Sequence, residues 1–448
     1  MNRAMSVLMC LDSLTEIDKQ RLDEDLVIEK KPKGIHGVGR NRVWLVTYLI
    51  EGIADILIPF AYANSHGHVR KSDTEDEGMQ MGAKDFRGSL RKNQKDICSR
   101  SMDILTRTGS CVLSLYVGFG KSISALYLSR QLGLKTLIIV HRIVLIHQWT
   151  ESVLNFCGSE SQLITSASDT TSMVESDFYI VNASVIAKLG RFFFRQLAIG
   201  TVIADEVHLL CSDVFSNCFK YLAPKYMIAL SATPYRADGL DRLIDLYFGV
   251  ERLEETLTRK HTVYEVQTDF KPDIKYNFQG KVDWNALIES QTSCLSRNKM
   301  IVDLVCYFKE RTILVLCKRV NQARWIREEL TRRGEDRVSD LIGKTNTYDP
   351  TCRVLVATAS KVGVGFSYDA LDMLVLASDI KEYFIQYFGR VMRTPHVEPI
   401  VIDIIDSNPI LHNHYKKERR KVYLSSGGTI IKVNVNMNKL DQCFWSST

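Results

Sequence analysis

The sequence predicts an α/β protein made of two parallel-sheet domains in tandem, with a small α+β unit in front. Three observations carry that prediction. Short runs that are apolar throughout, such as Thr136-Leu-Ile-Ile-Val140 and Thr201-Val-Ile-Ala204, alternate with helix-period stretches from Leu90 onward. Strands covered on both faces read this way. The rhythm breaks over a polar connector at 250–300 and then resumes, which gives two βα domains instead of one. Residues 1–86 lack the rhythm and carry short strand-like runs with glycines between them.

Bulk properties bound the function. At 448 residues the chain has room for two or three domains. Its 45% hydrophobic and 25% charged content is that of an ordinary globular protein. A net charge of +6 allows a nucleic-acid groove without requiring one, because placement of charge matters more than its total. The 11 cysteines (10, 98, 111, 157, 211, 218, 294, 306, 317, 352, 443) form no Cys-x-x-Cys pair, and several sit in apolar segments. They read as reduced buried thiols, hence a soluble protein of an intracellular reducing compartment. No apolar run is long enough to predict a membrane span. The mixed charges of residues 1–20 are unlike a signal peptide.

In chain order, strands are expected over Leu26–Lys30, Val43–Ile50 and Ala54–Phe60, with Gly34, Gly37 and Gly39 turning the chain between the first two. Lys71–Gly78 reads as a solvated acidic loop. His66 and His68 have no Cys or Asp partners beside them and read as strand or loop residues. From Leu90 the expected order is helix 92–105, strand 111–117, helix 122–132, strand 136–140 and a helix to Phe156. Strands Phe178–Val181, Thr201–Ala204 and Tyr226–Leu230 follow. Beyond the connector come strand His261–Gln267, helix 296–309, strand Thr312–Cys317, helix 320–333, strands Arg353–Ala357 and Met373–Ala377, helix 381–392 and strand Ile400–Ile405. Domain boundaries are placed at 1–86, 87–255 and 256–435, with a tail at 436–448.

Four stretches carry chemistry. In Leu113-Ser-Leu-Tyr-Val-Gly-Phe-Gly-Lys-Ser122 a buried strand runs into a glycine turn and then a helix. Gly118 and Gly120 permit a turn whose N–H groups point inward, Lys121 adds a cation and Ser122 a hydroxyl: a phosphate cradle with a magnesium ligand. Leu115 stands where the longer P-loop pattern has its first glycine. Asp205-Glu-Val-His208 follows a predicted strand, where α/β sheets bind ligands. Asp205 there suits Mg²⁺ and Glu206 suits a water-activating base; alone, the pair would equally suit a helix N-terminus. Leu230-Ser-Ala-Thr-Pro234 can link the nucleotide site to a neighbouring domain, or can be a helix cap followed by proline. Gln386-Tyr-Phe-Gly-Arg-Val-Met-Arg393 puts Arg390 and Arg393 on one helical face. They suit developing polyphosphate charge or the basic side of an amphipathic helix whose buried stripe is Phe388, Val391 and Met392.

G-F-G-K-S, D-E-V-H, S-A-T-P and Q-x-x-G-R-x-x-R, in this order over two α/β domains, resemble the superfamily 2 nucleic-acid helicases of the DExH type. The resemblance covers roughly residues 87–425. Leu90-Arg-Lys-Asn-Gln94 is similar to the element whose glutamine reads adenine. Ile138-Ile-Val-His-Arg-Ile-Val-Leu-Ile-His-Gln-Trp149 is similar to motif Ia with its following Q-W, and Val356–Ser367 to motif V. Leu230–Asp241 resembles the extended motif III of the subgroup holding XPB-type, phage UvsW-type and poxvirus transcript-release DNA helicases. Asp403, Asp406, Arg420 and Tyr423 lie in a stretch like that subgroup's after motif VI. A homologue from a large DNA virus is favoured, which would place it in host cytoplasm or virion. Members use the short G-x-G-K-[ST] turn, which accounts for Leu115. Two departures stand out: Val364-Gly365-Phe366-Ser367 replaces E-G-F-D, with Asp369 the nearby substitute, and Val117 replaces a threonine.

The resemblance implies two RecA-like domains whose sheets face each other, with ATP between and a nucleic-acid strand across both. Lys121 would hold the β- and γ-phosphates, with Gln94, Gly118, Phe119, Gly120, Gly365 and Gln386 around the nucleotide. Ser122 and Asp205 would hold Mg²⁺, and Glu206 the attacking water. Arg390 and Arg393 would reach the γ-phosphate. His208, Ser231 and Thr233 would couple hydrolysis to the track. Arg142, Arg236 and Thr358 would touch nucleic-acid phosphates, giving salt-sensitive binding with weak sequence preference. The implied protein is a monomer that acts on DNA in preference to RNA and releases nascent transcripts, with RNA polymerase or transcription factors as partners. An RNA helicase and a non-catalytic nucleic-acid scaffold are the alternatives; the intact Lys121, Asp205, Glu206 and Arg393 argue against the scaffold.

Overall fold

Two seven-stranded sheets, every strand parallel to its neighbours, dominate the structure. The computed structural model describes residues 6–10, 12, 14–30, 43–51, 55–66, 79–82, 85–166, 174–212, 215–222, 224–232, 239–362, 366, 368–380, 384–394 and 396–436. The chain divides between Glu255 and Thr256 into two compact units.

The first unit opens with β1 (Ser6–Cys10), α1 (Glu16–Leu26), β2 (Val27–Lys30), β3 (Val43–Val46), β4 (Leu49–Glu51), β5 (Asp55–Pro59) and α2 (Phe60–Ser65). The antiparallel order is β1-β5-β4, with β2 and β3 as a separate antiparallel pair. Thr15 starts α1 through a capping box with Asp18. The expected strand Val43–Ile50 is two strands, because the chain breaks at Thr47, whose N–H and hydroxyl both donate to the Leu26 carbonyl at 2.9 Å. Leu22, Leu26, Ile56, Ile58 and Phe60 pack in one core with Val112, Leu137, Phe219 and Tyr247. Gly34, Gly37, Gly39, His68 and the acidic loop at 71–78 lie outside the described residues. His66 ends α2 with its Nδ1 2.9 Å from the Tyr62 carbonyl.

The α/β part follows as α3 (Lys92–Thr108), β6 (Ser110–Leu115), α4 (Lys121–Leu132), β7 (Thr136–Val140), α5 (Ile143–Cys157), β8 (Ser161–Ile164) and β9 (Phe178–Asn182). Then come α6 (Ala183–Gln196), β10 (Thr201–Ala204), α7 (Val207–Leu210), β11 (Tyr226–Ser231), α8 (Arg242–Phe248) and β12 (Arg252–Glu255). The strand order is β12-β6-β11-β10-β7-β9-β8. β6, β7 and β10 are buried at every residue, as strands of a parallel sheet covered on both faces are. β6 stops at Leu115, two residues before the expected end at 117. Tyr116 donates its N–H to the Glu255 carbonyl, and its own carbonyl accepts from Phe119 N–H as the chain turns.

The second unit runs β13 (His261–Thr268), α9 (Trp284–Ser293), α10 (Leu295–Tyr307), β14 (Ile313–Cys317), α11 (Val320–Arg332), β15 (Val338–Leu341), β16 (Val354–Thr358), α12 (Ala359–Val362) and β17 (Met373–Leu376). It ends with α13 (Phe384–Val391), β18 (Ile400–Ile405), α14 (Pro409–His414), a π-helical turn Tyr415–Arg420, α15 (Lys421–Ser425) and β19 (Gly428–Val435). Its order is β15-β16-β14-β17-β18-β13-β19. The stretch read as a plain connector therefore holds α9, started by Asp283, whose carboxylate accepts from the N–H groups of Asn285 and Ala286.

One expectation about this unit needs correction. Arg390 and Arg393 do not share a helical face, because α13 ends at Val391. Thr394-Pro395 lies just beyond, and a residue before proline resists the helical conformation. In the stretch after β18 that holds Asp403, Asp406, Arg420 and Tyr423, the buried arginine is Arg419. The π-helical turn gives the chain an extra residue per turn there and rotates Arg419 inward. Among the described residues, no helix is long and apolar enough to cross a membrane.

Candidate functional site

In the first unit the C-terminal ends of β6, β11 and β10 lie side by side, and the candidate groups emerge from that edge. Gly118 and Gly120 take φ of +91° and +95°. A side chain at Gly120 would put its Cβ 2.4 Å from Gln94 Nε2, so glycine is required there twice over. α4 begins at Lys121, with Ser122 half-buried in its first turn. Lys121 Nζ donates to the Leu115 carbonyl at 3.2 Å and so lies back over the end of β6. Phe119 is fully buried and meets the Tyr116 ring edge-on at 5.4 Å. Its backbone, and not its ring, is what the site can use. Gln94 is buried, donates to the Phe119 carbonyl at 3.0 Å and accepts from Arg91 N–H at 2.8 Å. Arg91 also donates to the carbonyls of Gly118 and Phe119. Gln94 and Arg91 thus brace the glycine turn from α3.

Asp205 follows β10, and both its oxygens are held. Glu206 N–H donates to Oδ1 at 2.9 Å and Trp149 Nε1 donates to Oδ2 at 2.8 Å. Burial, and next the Glu206 carboxylate beside it, push the Asp205 pKa up to about 6; the Trp149 bond and the Lys121 charge oppose this. Glu206 is one of three non-glycine residues at positive φ among the described residues (φ +47°). That left-handed backbone costs about 1–2 kcal/mol, and Glu206 makes no side-chain capping bond to the helix that Val207 starts. The plain helix-N-terminus reading is thereby weakened, since α7 has only 4 residues. His208 Nδ1 lies 2.8 Å from Ser231 Oγ and 3.4 Å from Glu206 Oε2. The structure thus brings His208 and Ser231 together across β10 and β11. Thr233 and Arg236 lie outside the described residues. Arg142 is exposed at the start of α5, after β7.

Two carboxylates at one buried edge, one with a raised pKa, beside a lysine and a glycine turn, form a donor set short of positive charge. Mg²⁺ and a polyphosphate together fit it. Trp149 is the residue that sequence reading passed over: it was seen as part of a motif but not as a donor to Asp205. Its signal is a tryptophan on the apolar face of α5, whose N–H must find a partner when buried. His141 was also passed over. It ends the β7 run with neither ring nitrogen bonded to protein, and burial, followed by Arg142 and His208, lowers its pKa to about 4. It therefore stays neutral.

In the second unit Arg390 is buried with its guanidinium 5.2 Å from the centre of the Phe366 ring. This joins the Gln386–Arg393 stretch to the Val356–Ser367 stretch. Arg393 Nη1 donates to Asp369 at 3.0 Å, so the nearby acid of the departing motif V holds an arginine. Gln386, Phe388 and Val391 are buried on α13 and Met392 just after it, but Arg390 is buried with them, so it forms no exposed basic side. Thr358 ends β16 and is also buried, so its side chain is poorly placed to touch a strand. Gly365 lies outside the described residues.

Each unit, with its ligand-facing edge at the strand C-termini, is a RecA-like domain. Residues 87–236 match the family described as type III restriction enzyme, res subunit. The chain is 43% identical over 369 residues to helicase-family protein 161L of Invertebrate iridescent virus 6, covering 77% of this chain and 83% of that one. It is 31% identical over 366 residues to helicase-family protein 055L of Frog virus 3 (isolate Goorha), covering 81% and 84%. Among solved structures, Dbp5 of S. cerevisiae bound to RNA and ADP BeF3 is similar in fold, with a TM-score of 0.53 at 14% identity over 77% of this chain and 90% of that one. The chain belongs to the superfamily 2 helicases of large DNA viruses. Helicases of this kind act on nucleic acid and use ATP, typically with Mg²⁺.

Proposed function

We propose that the chain is an ATP-dependent translocase of the DExH type that acts on DNA in preference to RNA and helps release nascent transcripts during viral transcription. The observation that carries the catalytic part is the edge where Lys121, Asp205 and Glu206 meet, with Glu206 next to the His208–Ser231 contact. The preference for DNA rests on the resemblance of Leu230–Asp241 to the XPB, UvsW and poxvirus subgroup. RNA polymerase or a transcription factor is the partner this reading implies.

In this reading Lys121 leaves the Leu115 carbonyl for the β- and γ-phosphates, and the amides of Gly118–Lys121 cradle them. Ser122 and Asp205 hold Mg²⁺, which supplies the charge that neutralises the phosphate oxygens. Glu206 orients the attacking water and takes its proton. His208 and Ser231 relay the state of Glu206 to β11 and to Thr233 and Arg236 beyond it. Arg390 and Arg393 offset charge that develops on the transferred phosphoryl group.

Three measurements test the parts. ATP turnover with ssDNA, dsDNA and RNA side by side should be stimulated most by DNA; equal or greater stimulation by RNA hands the function to an RNA helicase. Arg393→Ala should slow hydrolysis on the order of 10³-fold, as loss of an arginine finger does. A near-normal rate removes Arg393 from the reaction. Trp149→Phe keeps the apolar volume but deletes the donor to Asp205. Loss of such an outer partner costs roughly 10- to 100-fold in metal affinity or activity, so the Mg²⁺ titration of ATP turnover should shift to higher concentration. An unchanged titration makes Trp149 a packing residue only.

A further inference from the structure

One element of the second unit has no part in that mechanism. Between β13 and α9 the chain forms a tight hairpin in which Tyr276 bridges Val282. Asn277 N–H donates to the Lys281 carbonyl and Asp283 N–H to the Lys275 carbonyl, each at 2.7 Å. Asn277 Oδ1 accepts from Gln279 N–H at 2.9 Å and Lys281 N–H at 3.1 Å, and Gly280 takes φ +71°. The tip spends its local hydrogen-bonding capacity on itself, which stiffens the turn. On this stiff support the large apolar side chains point outward: Phe278 has a relative exposure of 112% and Tyr276 of 63%.

The hairpin also stands in a telling place. It leaves the C-terminal end of β13, and its root is tied to the C-terminal end of β14. Arg319 Nη2 donates to Asn285 Oδ1 at 3.0 Å, and Arg319 Nε lies 3.4 Å from Glu289. The hairpin thus springs from the C-terminal, ligand-facing end of the sheet. Lys275 and Lys281 flank the aromatic tip with no acidic residue between them, and Arg319 meets the helix that follows it. Cations interleaved with outward aromatic rings are what a single strand needs: charge for its phosphates and flat faces for its bases. A hydrophobic protein partner would call for a continuous apolar patch, not two rings between lysines.

We propose that the hairpin Lys275–Val282 is a contact for single-stranded nucleic acid, in which the Phe278 ring stacks on an unpaired base. This rests on the nucleic-acid reading above and adds an element to it. The test uses the full chain and fluorescein-labelled oligo(dT), oligo(U) and a blunt duplex. Phe278→Ala should weaken binding of the single strands about tenfold, the loss of one base–aromatic stack, with much less effect on the duplex. Phe278→Trp should restore affinity, and its added fluorescence should be quenched by the bound strand. Phe192→Ala, which removes an exposed ring of the first unit, should change nothing. The contrast between oligo(dT) and oligo(U) tells which strand the hairpin meets. If the wild-type chain binds the oligonucleotides and Phe278→Ala binds them equally well, the hairpin assignment alone is wrong. Should the wild-type chain bind none of them, the nucleic-acid reading fails first and takes the hairpin with it. A change in the sedimentation of the nucleic-acid-free chain on Phe278→Ala would make the hairpin a protein-docking surface instead, and would overturn the proposal.

Discussion

Glu206→Gln is expected to lower ATP turnover by about 10²–10⁴-fold while nucleotide and nucleic-acid binding stay near wild type. The substitution keeps the shape of the side chain and removes its ability to accept a proton. It also lifts the repulsion that raises the Asp205 pKa, so affinity for nucleotide with Mg²⁺ should not fall. The left-handed backbone at Glu206 is unaltered, since glutamine and glutamate meet the same steric cost there. Single-turnover hydrolysis and filter binding, measured on one preparation, separate chemistry from folding. Turnover within a few-fold of wild type would move the base elsewhere, and the neighbouring His208 would be the next group to test.

The second large effect is on stability. Arg419 is buried in the second unit, with Nε donating to Asp403 at 2.8 Å, Nη2 to the other Asp403 oxygen at 3.1 Å, and Nη1 to Asp379 at 2.6 Å. Tyr423 adds a donor to Asp403 at 2.8 Å, and His414 adds one to Asp379. Arg419→Ala strands two buried carboxylates without their common cation, which costs about 3–5 kcal/mol. Denaturant unfolding of the full chain, followed by the fluorescence of the second unit's tryptophans, should show its transition moving to lower denaturant by that amount. The triple change Arg419→Met, Asp403→Asn and Asp379→Asn should recover much of the loss, because it removes the charges together. An unshifted transition for Arg419→Ala would mean that water reaches the carboxylates and the network carries little.

What the sequence revealed follows a physical line. The central strands β7, β10, β14 and β17 are largely apolar because both faces are covered, and such runs can be read directly. Within the two parallel sheets, the strands that escaped reading are β8, β12, β15 and β19, and these are their outer strands. An outer strand is partly wetted, so Ser161–Ile164 and Val338–Leu341 carry polar residues that mask it. The same distinction holds at the site. Lys121, Asp205 and Glu206 stand in local patterns whose spacing encodes their role. The Trp149–Asp205 bond joins residues 56 positions apart, and only the pairing of β7 with β10 brings them together. The burial of Arg419 has no signal in the sequence, since a π-turn changes which side chain faces inward and leaves no mark in an α-helical count.

The order of strands in the second sheet also sets a schedule. β13 is the first strand of its unit to be made, yet it lies between β18 and β19, so Thr262 waits for Ile400 and His261 for Gly428. The wait for the second partner is 167 residues (428 − 261). At a synthesis rate of about 5–20 residues per second this is roughly ten to thirty seconds. Until β18 is made, Val263 and Val266, fully buried in the finished sheet, sit on a strand with both flanks unpaired, and one flank stays open until β19 follows. The first unit needs nothing beyond Glu255 to close its own sheet. A nascent chain therefore carries a completed glycine turn and its paired carboxylates well before the unit bearing Arg390 and Arg393 can fold. Shielding β13 over that time falls to whatever binds the emerging chain, and a chain cut short before Gly428 would keep β13 as an open edge for good.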